Sequence, residues 1–193
     1  RPSIDGDFGQ NPVIDTYTGG YRKPGAVRVA KPRVFIPVFP DTNGEYDTAK
    51  AFEEAGGAVD VFIMRNLTRK DIKESIETIV QKIKDSQILV LPGGFDGKYG
   101  FGAGRFASAT FSNPYIKEAV MDLIKNRDGL ILGIGSGFQA LVKLGLLPYG
   151  EFRDITEDSP AITFNTIGRH ISRMVYTKVV SNLSPWLSKV KPG

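Results

Sequence analysis

From Arg33 onward the chain alternates short apolar runs with segments of helical period. Val34-Phe35-Ile36-Pro37-Val38-Phe39 is almost continuously apolar, the pattern of a strand covered on both faces of a parallel sheet. A polar turn, Asp41-Thr42-Asn43-Gly44, leads into Glu45–Ala55, where Tyr46, Ala49, Phe52 and Ala55 recur at helical spacing. Gly56-Gly57 follows as a glycine stop. Val59–Met64 is a second apolar run. Thr68-Arg69-Lys70-Asp71, a variant capping box, then precedes a helix with Ile72, Ile76, Ile79, Val80 and Ile83 on one face. Ile88–Leu91 predicts a third strand. An amphipathic helix runs from Pro114, which suits a first helical turn, to about Asn126. Leu130–Ile134 predicts a fourth strand, followed almost without a loop by a helix over Phe138–Leu144.

After Pro148 the texture changes. Ala161–Asn165 and Ser172–Val180 alternate like an antiparallel pair joined across Thr166–Ile171. The element order predicts an α/β fold of the flavodoxin-like, doubly wound kind. Its sheet is mostly parallel with helices on both faces, Leu130–Ile134 lies off any exposed edge, and a C-terminal antiparallel hairpin completes it. Residues 1–32 are rich in Gly, Pro and polar residues and sustain no period. They read either as a linker leading in from an upstream region or as a loop anchored by Phe8, Val13, Ile14 and Tyr17. The domain proper is expected over residues 33–193. A start at Arg1, without Met or a signal-peptide pattern, reads as a piece of something longer.

Composition narrows the chemistry. With 41% hydrophobic and 24% charged residues, disorder and fibrous structure are excluded. A net charge of +4, well mixed along the chain, does not call for nucleic acid. The absence of Cys excludes disulfides and thiolate metal sites, and a single His excludes a multi-histidine site, so no metal is expected. No apolar run approaches the ~18 residues of a membrane span.

In such sheets the working loops follow the carboxyl ends of the strands, here Pro40–Glu45, Pro92–Arg105 and Gly133–Phe138. Gly133-Ile134-Gly135-Ser136-Gly137 has the backbone of a nucleophile elbow, which presents its middle residue at a helix N-terminus. That middle residue is Gly135, which has no side chain to attack with. Ser136 is one position out of register, because a G-x-S-x-G string centred on it needs glycine where Ile134 stands. The same glycines also suit close helix–strand packing, and spacing alone leaves both readings open.

Leu91-Pro-Gly-Gly-Phe95, Leu132-Gly-Ile-Gly-Ser-Gly-Phe-Gln-Ala-Leu141, Gly168-Arg-His-Ile-Ser-Arg173 and Ser181-Asn-Leu-Ser-Pro-Trp186 together resemble the glutaminase region of phosphoribosylformylglycinamidine synthase. That enzyme is a glutamine-dependent ligase of purine biosynthesis, and its glutaminase is a class I (triad) amidotransferase. The resemblance runs from about Pro32 to Leu187, and Thr163–Val175 is its most specific stretch. It implies that the catalytic cysteine belongs at Gly135. The oxyanion hole would use the backbone N–H of Ser136 and of the Gly93-Gly94 turn, principally Gly94, and Gln139 and Gly93 would lie near bound glutamine. A second family cysteine falls at Gly44. The family's His–Glu pair belongs to an H-G-E-G string downstream of Gly193, and His170 reads as a structural residue outside the triad. The loop Asp96–Gly102 also differs from the family's acidic segment. The resemblance further implies a cytoplasmic protein, glutamine as substrate, a synthase domain or subunit as partner, and neither nucleic acid nor membrane. No cofactor is implied in this domain, with ATP and Mg belonging to the synthase region. Two alternatives stand beside it: a catalytically silent docking module of the same fold, and another class I amidotransferase-like protein.

Overall fold

The computed structural model describes residues 29–40, 42–94, 104–162, 165, 167–169 and 171–192. The lead-in up to residue 28, the glycine-rich segment 95–103 and His170 lie outside them. Residues Val27–Phe164 form one compact unit, and Asn165–Gly193 belong with the N-terminal residues to a second.

The first unit is built on strands β1 (Arg33–Val38), β2 (Ala58–Ile63), β3 (Ile88–Leu91) and β4 (Leu130–Gly133), all parallel, in the order β2-β1-β3-β4. The helices are α1 (Glu45–Glu54), α2 (Arg69–Asp85), α3 (Arg105–Phe111), α4 (Pro114–Lys125), α5 (Ser136–Lys143) and a short α6 (Leu146–Tyr149) interrupted at Leu147. This is the flavodoxin-like α/β arrangement. Alternate residues of the buried strands serve opposite faces. Phe35, Leu89 and Leu91 join Ile79, Ile83, Phe111, Ile116, Val120 and Leu123 in the larger core. Val34, Ile36 and Val90 pack on the other face with Ala49 and Phe52 of α1.

Local chemistry sets the helix ends. Thr68 and Asp71 form the reciprocal capping box, with Asp71 N–H donating to Thr68 Oγ1 (3.1 Å) and Thr68 N–H to Asp71 Oδ2 (3.0 Å). Asn113 accepts from Tyr115 N–H ahead of Pro114. Arg127 closes the far end of α2. Its guanidinium donates to the carbonyls of Ile83, Lys84 and Ser86 at 2.8–2.9 Å and to Asp122 Oδ2 at 2.8 Å. One side chain thereby satisfies orphan carbonyls and ties α2 to α4.

Two expectations need correction. β4 is the last strand of the described sheet, half-buried and paired on one side only, by β3, where an interior position was expected. The C-terminal hairpin is not seen among the described residues. Ser172–Val180 contains no strand, and neither do the described residues of Ala161–Asn165, of which 163 and 164 are not described. Alternation marks a segment that fits a pleated, half-buried surface but does not supply the partner strand. Met174 and Tyr176 are almost wholly exposed. The second unit has regular structure only in a 3-10 turn at Pro185–Leu187, among the described residues. No helix among them is long and apolar enough to cross a membrane.

Replacing Arg127 with Ala strands the carbonyls of Lys84 and Ser86, whereas Ile83 O keeps the Ser86 donors, and we expect a loss of about 2 kcal/mol in urea unfolding. The Asp122 carboxyl is held below its ordinary value of 3.8 by hydrogen bonds from Asn126 and Arg127, aided by the charges of Arg127 and Lys84. A depressed folded-state value gives stability that is present above the unfolded value and lost as pH falls through the folded one. Stability should therefore decline with pH below about 4, and Asp122→Asn should flatten that part of the profile. An unchanged acid limb in this variant contradicts the assignment.

Candidate active site

The strand order reverses direction between β1 and β3, and the loops after those strands flank the crevice where doubly wound sheets bind ligands. The two loops are bonded together. Asn43 and Gly44 N–H both donate to Gly93 O (3.1 and 3.3 Å), and Thr42 bridges Gly94. On the other side of Gly93 lies the turn from β4 into α5. Gly135, at φ +53° and ψ −115°, occupies the left-handed half of backbone space at the N-terminus of α5. Among the described residues, a Cβ placed on Gly135 would touch only Gly93 Cα, at an ordinary 3.6 Å, and Gly135 itself is exposed.

The glycines of the pentapeptide divide the two roles that spacing left open. A Cβ on Gly137 would run into the carbonyl of Leu91, 2.6 Å from its carbon. One on Gly133 would lie 2.8 Å from the backbone of Phe138. These two permit close packing of α5 on the sheet. Gly135 alone serves the turn and leaves room for a side chain. Gly104, which the sequence pattern did not single out, holds the opposite wall. A Cβ there would sit 2.5 Å from Ser136 O, so the start of α3 meets the start of α5 without any side chain between them. Its position just before a helix was a weak signal.

Ser136 is the first residue of α5, so its N–H has no partner within the helix, and no other acceptor meets it among the described residues. Gln139 lies one turn on, its N–H donating to Gly135 O (3.2 Å), so it shares the face of Gly135. Gly93, Gly94, Gly135, Ser136 and Gln139 are thus brought to one place. Gly44 joins them from the other side of Gly93, with space for a Cβ at 3.6 Å from Gly93 O. Beside Ser136, a cavity of about 20 Å³ lined by Phe39, Thr42, Leu91, Gly104 and Phe106 has room for a single water.

A glycine-flanked turn from a parallel strand into a helix, with a free N–H beside an open residue, is the frame of a nucleophile-elbow protein of the α/β class. Residues 31–192 match the CobB/CobQ-like glutamine amidotransferase domain, and the chain belongs to that family. Among similar proteins is the phosphoribosylformylglycinamidine synthase subunit PurQ of Treponema denticola, 33% identical over 118 residues, covering 61% of this chain and 40% of that protein. The PurQ subunits of Dehalococcoides mccartyi and Pyrococcus furiosus are each 32% identical, covering 78% and 82% of this chain and 54% and 57% of theirs. The chain therefore spans about half the length of these relatives. A solved structure, PurLQS from Thermotoga maritima, aligns with a TM-score of 0.42 at 26% identity over 61% of this chain and 46% of that one.

The division of roles predicts an order of tolerance. Gly137→Ala should destabilise by about 3 kcal/mol through overpacking. Gly135→Ala should cost about 1–2 kcal/mol, from its backbone conformation alone. Urea unfolding that ranks them the other way would show the elbow to be misassigned.

Proposed function

We propose that this chain is the glutaminase-type, ammonia-supplying component of phosphoribosylformylglycinamidine synthase, with residues 33–193 as the amidotransferase domain and residues 1–32 as a lead-in. We further propose that glycine at the nucleophile position leaves this chain without turnover of its own. The observation that carries the reading is the turn at Gly135, open to a side chain and set beside the free N–H of Ser136. Family membership and the PurQ relatives support the substrate and the partner.

In an intact member of the family, a cysteine thiolate at the position of Gly135 would attack the side-chain amide carbon of glutamine. The oxygen that gains charge accepts from Ser136 N–H and from the Gly93-Gly94 turn, each donor lowering the barrier by about 3–4 kcal/mol. Ammonia leaves for the synthase, and water clears the thioester. Gln139, on the same face, orients the bound amino acid. ATP and Mg act in the synthase region of this scheme and have no role at the elbow. With hydrogen at 135, the oxyanion donors remain and the attacking atom is missing. A second reading, a silent docking module, keeps the same fold and makes the synthase-facing surface its sole function. The lack of a side chain at 135 favours it.

The purified chain is expected to release no ammonia from glutamine. Release that Ser136→Ala abolishes would make Ser136 the nucleophile and overturn the reading. Gly135→Cys separates glutaminase component from docking module. A retained glutamine site should let an electrophilic glutamine analogue label Cys at 135 at least tenfold faster than it labels free glutathione, with glutamine protecting. Labelling that glutamine does not slow favours the docking module. Turnover should stay absent in this variant, because a thiol near its ordinary pKa of ~8.5 with no base is mostly protonated at neutral pH.

A further inference from the structure

Away from the elbow, three cations from three elements line one cleft of about 250 Å³: Lys117 of α4, Lys143 at the end of α5, and Arg153 in the segment after α6. Ser112 and Asp154 complete its polar wall. That space equals about eight waters, small for a peptide and ample for a compact anion.

Two of these cations lie over aromatic rings. Lys117 Nζ lies 5.5 Å from the centre of the Phe152 ring, and Phe152 packs on the larger core. The Arg153 guanidinium lies 4.5 Å from the centre of the Tyr149 ring. Neither Lys117 nor Arg153 has a carboxylate within ion-pair distance among the described residues. The exposed lysines of α1 and α2, by contrast, largely pair one turn along. The backbone beneath is tightly set. Arg153 N–H donates to Leu144 O (3.1 Å), and a Cβ on Gly145 would fall 2.7 Å from Arg153 N, so the turn after α5 closes directly onto Arg153. Lys117 and Arg153 thus face one cleft whose wall holds a single acidic side chain, Asp154, a lining that suits an anion. A guanidinium seated on a ring keeps its N–H edge for two parallel hydrogen bonds, and an ammonium adds a point charge.

We propose that this cleft binds a phosphoryl group, with Arg153 as the bidentate ligand and Lys117 as the second charge. The site is separate from the elbow and does not depend on the function proposed there. Phosphate could arrive free or as a phosphomonoester, and the two are compared directly.

The test titrates the full chain with inorganic phosphate and with glycerol 3-phosphate at constant ionic strength, by calorimetry and amide NMR. One saturable site is expected, with shifts centred on residues 112, 117, 143 and 153. The tighter of the two ligands identifies the source. Arg153→Gln and Lys117→Gln should each weaken binding at least tenfold, and Lys50→Gln on α1 should leave it unchanged. Should Arg153→Gln fail to fold, Lys117→Gln and the location of the wild-type shifts decide the matter. Absence of saturation by either ligand overturns the proposal, as does equal weakening by Lys50→Gln. Binding of an acidic peptide in place of both phosphates would also overturn it.

Discussion

The contact between the Leu91 carbonyl and the backbone of Gly137 governs the site. It seats the first turn of α5 directly on the end of β3, closer than any side chain at 137 would allow. Gly135 follows from that seating. The chain must leave β4, pass over Gly93 and enter the helix within three residues, and it does so through a left-handed conformation. The loop after β1 is fixed to the same Gly93 by two N–H donors. The loops after β1 and β4 therefore both stack on the loop after β3, at Gly93.

This stack sits where the doubly wound topology leaves a crevice, so the fold and the site share one cause. The core beneath it is asymmetric. The face carrying α2, α3, α4 and α5 buries most of the large apolar side chains, and the α1 face buries only Val34, Ile36 and Val90 completely. Arg127 braces the larger face from the opposite end of the sheet, replacing missing backbone partners at the end of α2 with a charged, planar donor set.

In the proposed chemistry, such a frame supplies the oxyanion donors whether or not a nucleophile is present. Backbone N–H groups are indifferent to side-chain identity, so substitution at the attacking position leaves the electrostatic half of the site standing. The cationic cleft lined by α4, the end of α5 and the segment after α6 is built by the same means, close backbone approach at a glycine, here Gly145.

The sequence by itself determined the four strands, the capping box at Thr68, the helix start at Pro114 and the alternate glycines of the turn from β4 into α5. Each is a local pattern: an apolar run, a hydroxyl three residues from a carboxylate, a ring without an N–H, glycine at alternate positions. It did not determine which elbow glycine packs and which one turns, because that depends on Leu91, more than forty positions away in the chain. Nor did it reveal Gly104 against Ser136, Gly44 against Gly93, or Arg127 against three carbonyls at the end of α2. Its two failures have the same origin. The alternation in Ser172–Val180 and the apolar run in β4 describe surfaces suited to pairing, whereas a hairpin or an interior strand requires a second segment at hydrogen-bonding distance. Local chemistry fixes what each segment can become; only tertiary packing brings it the partner that decides.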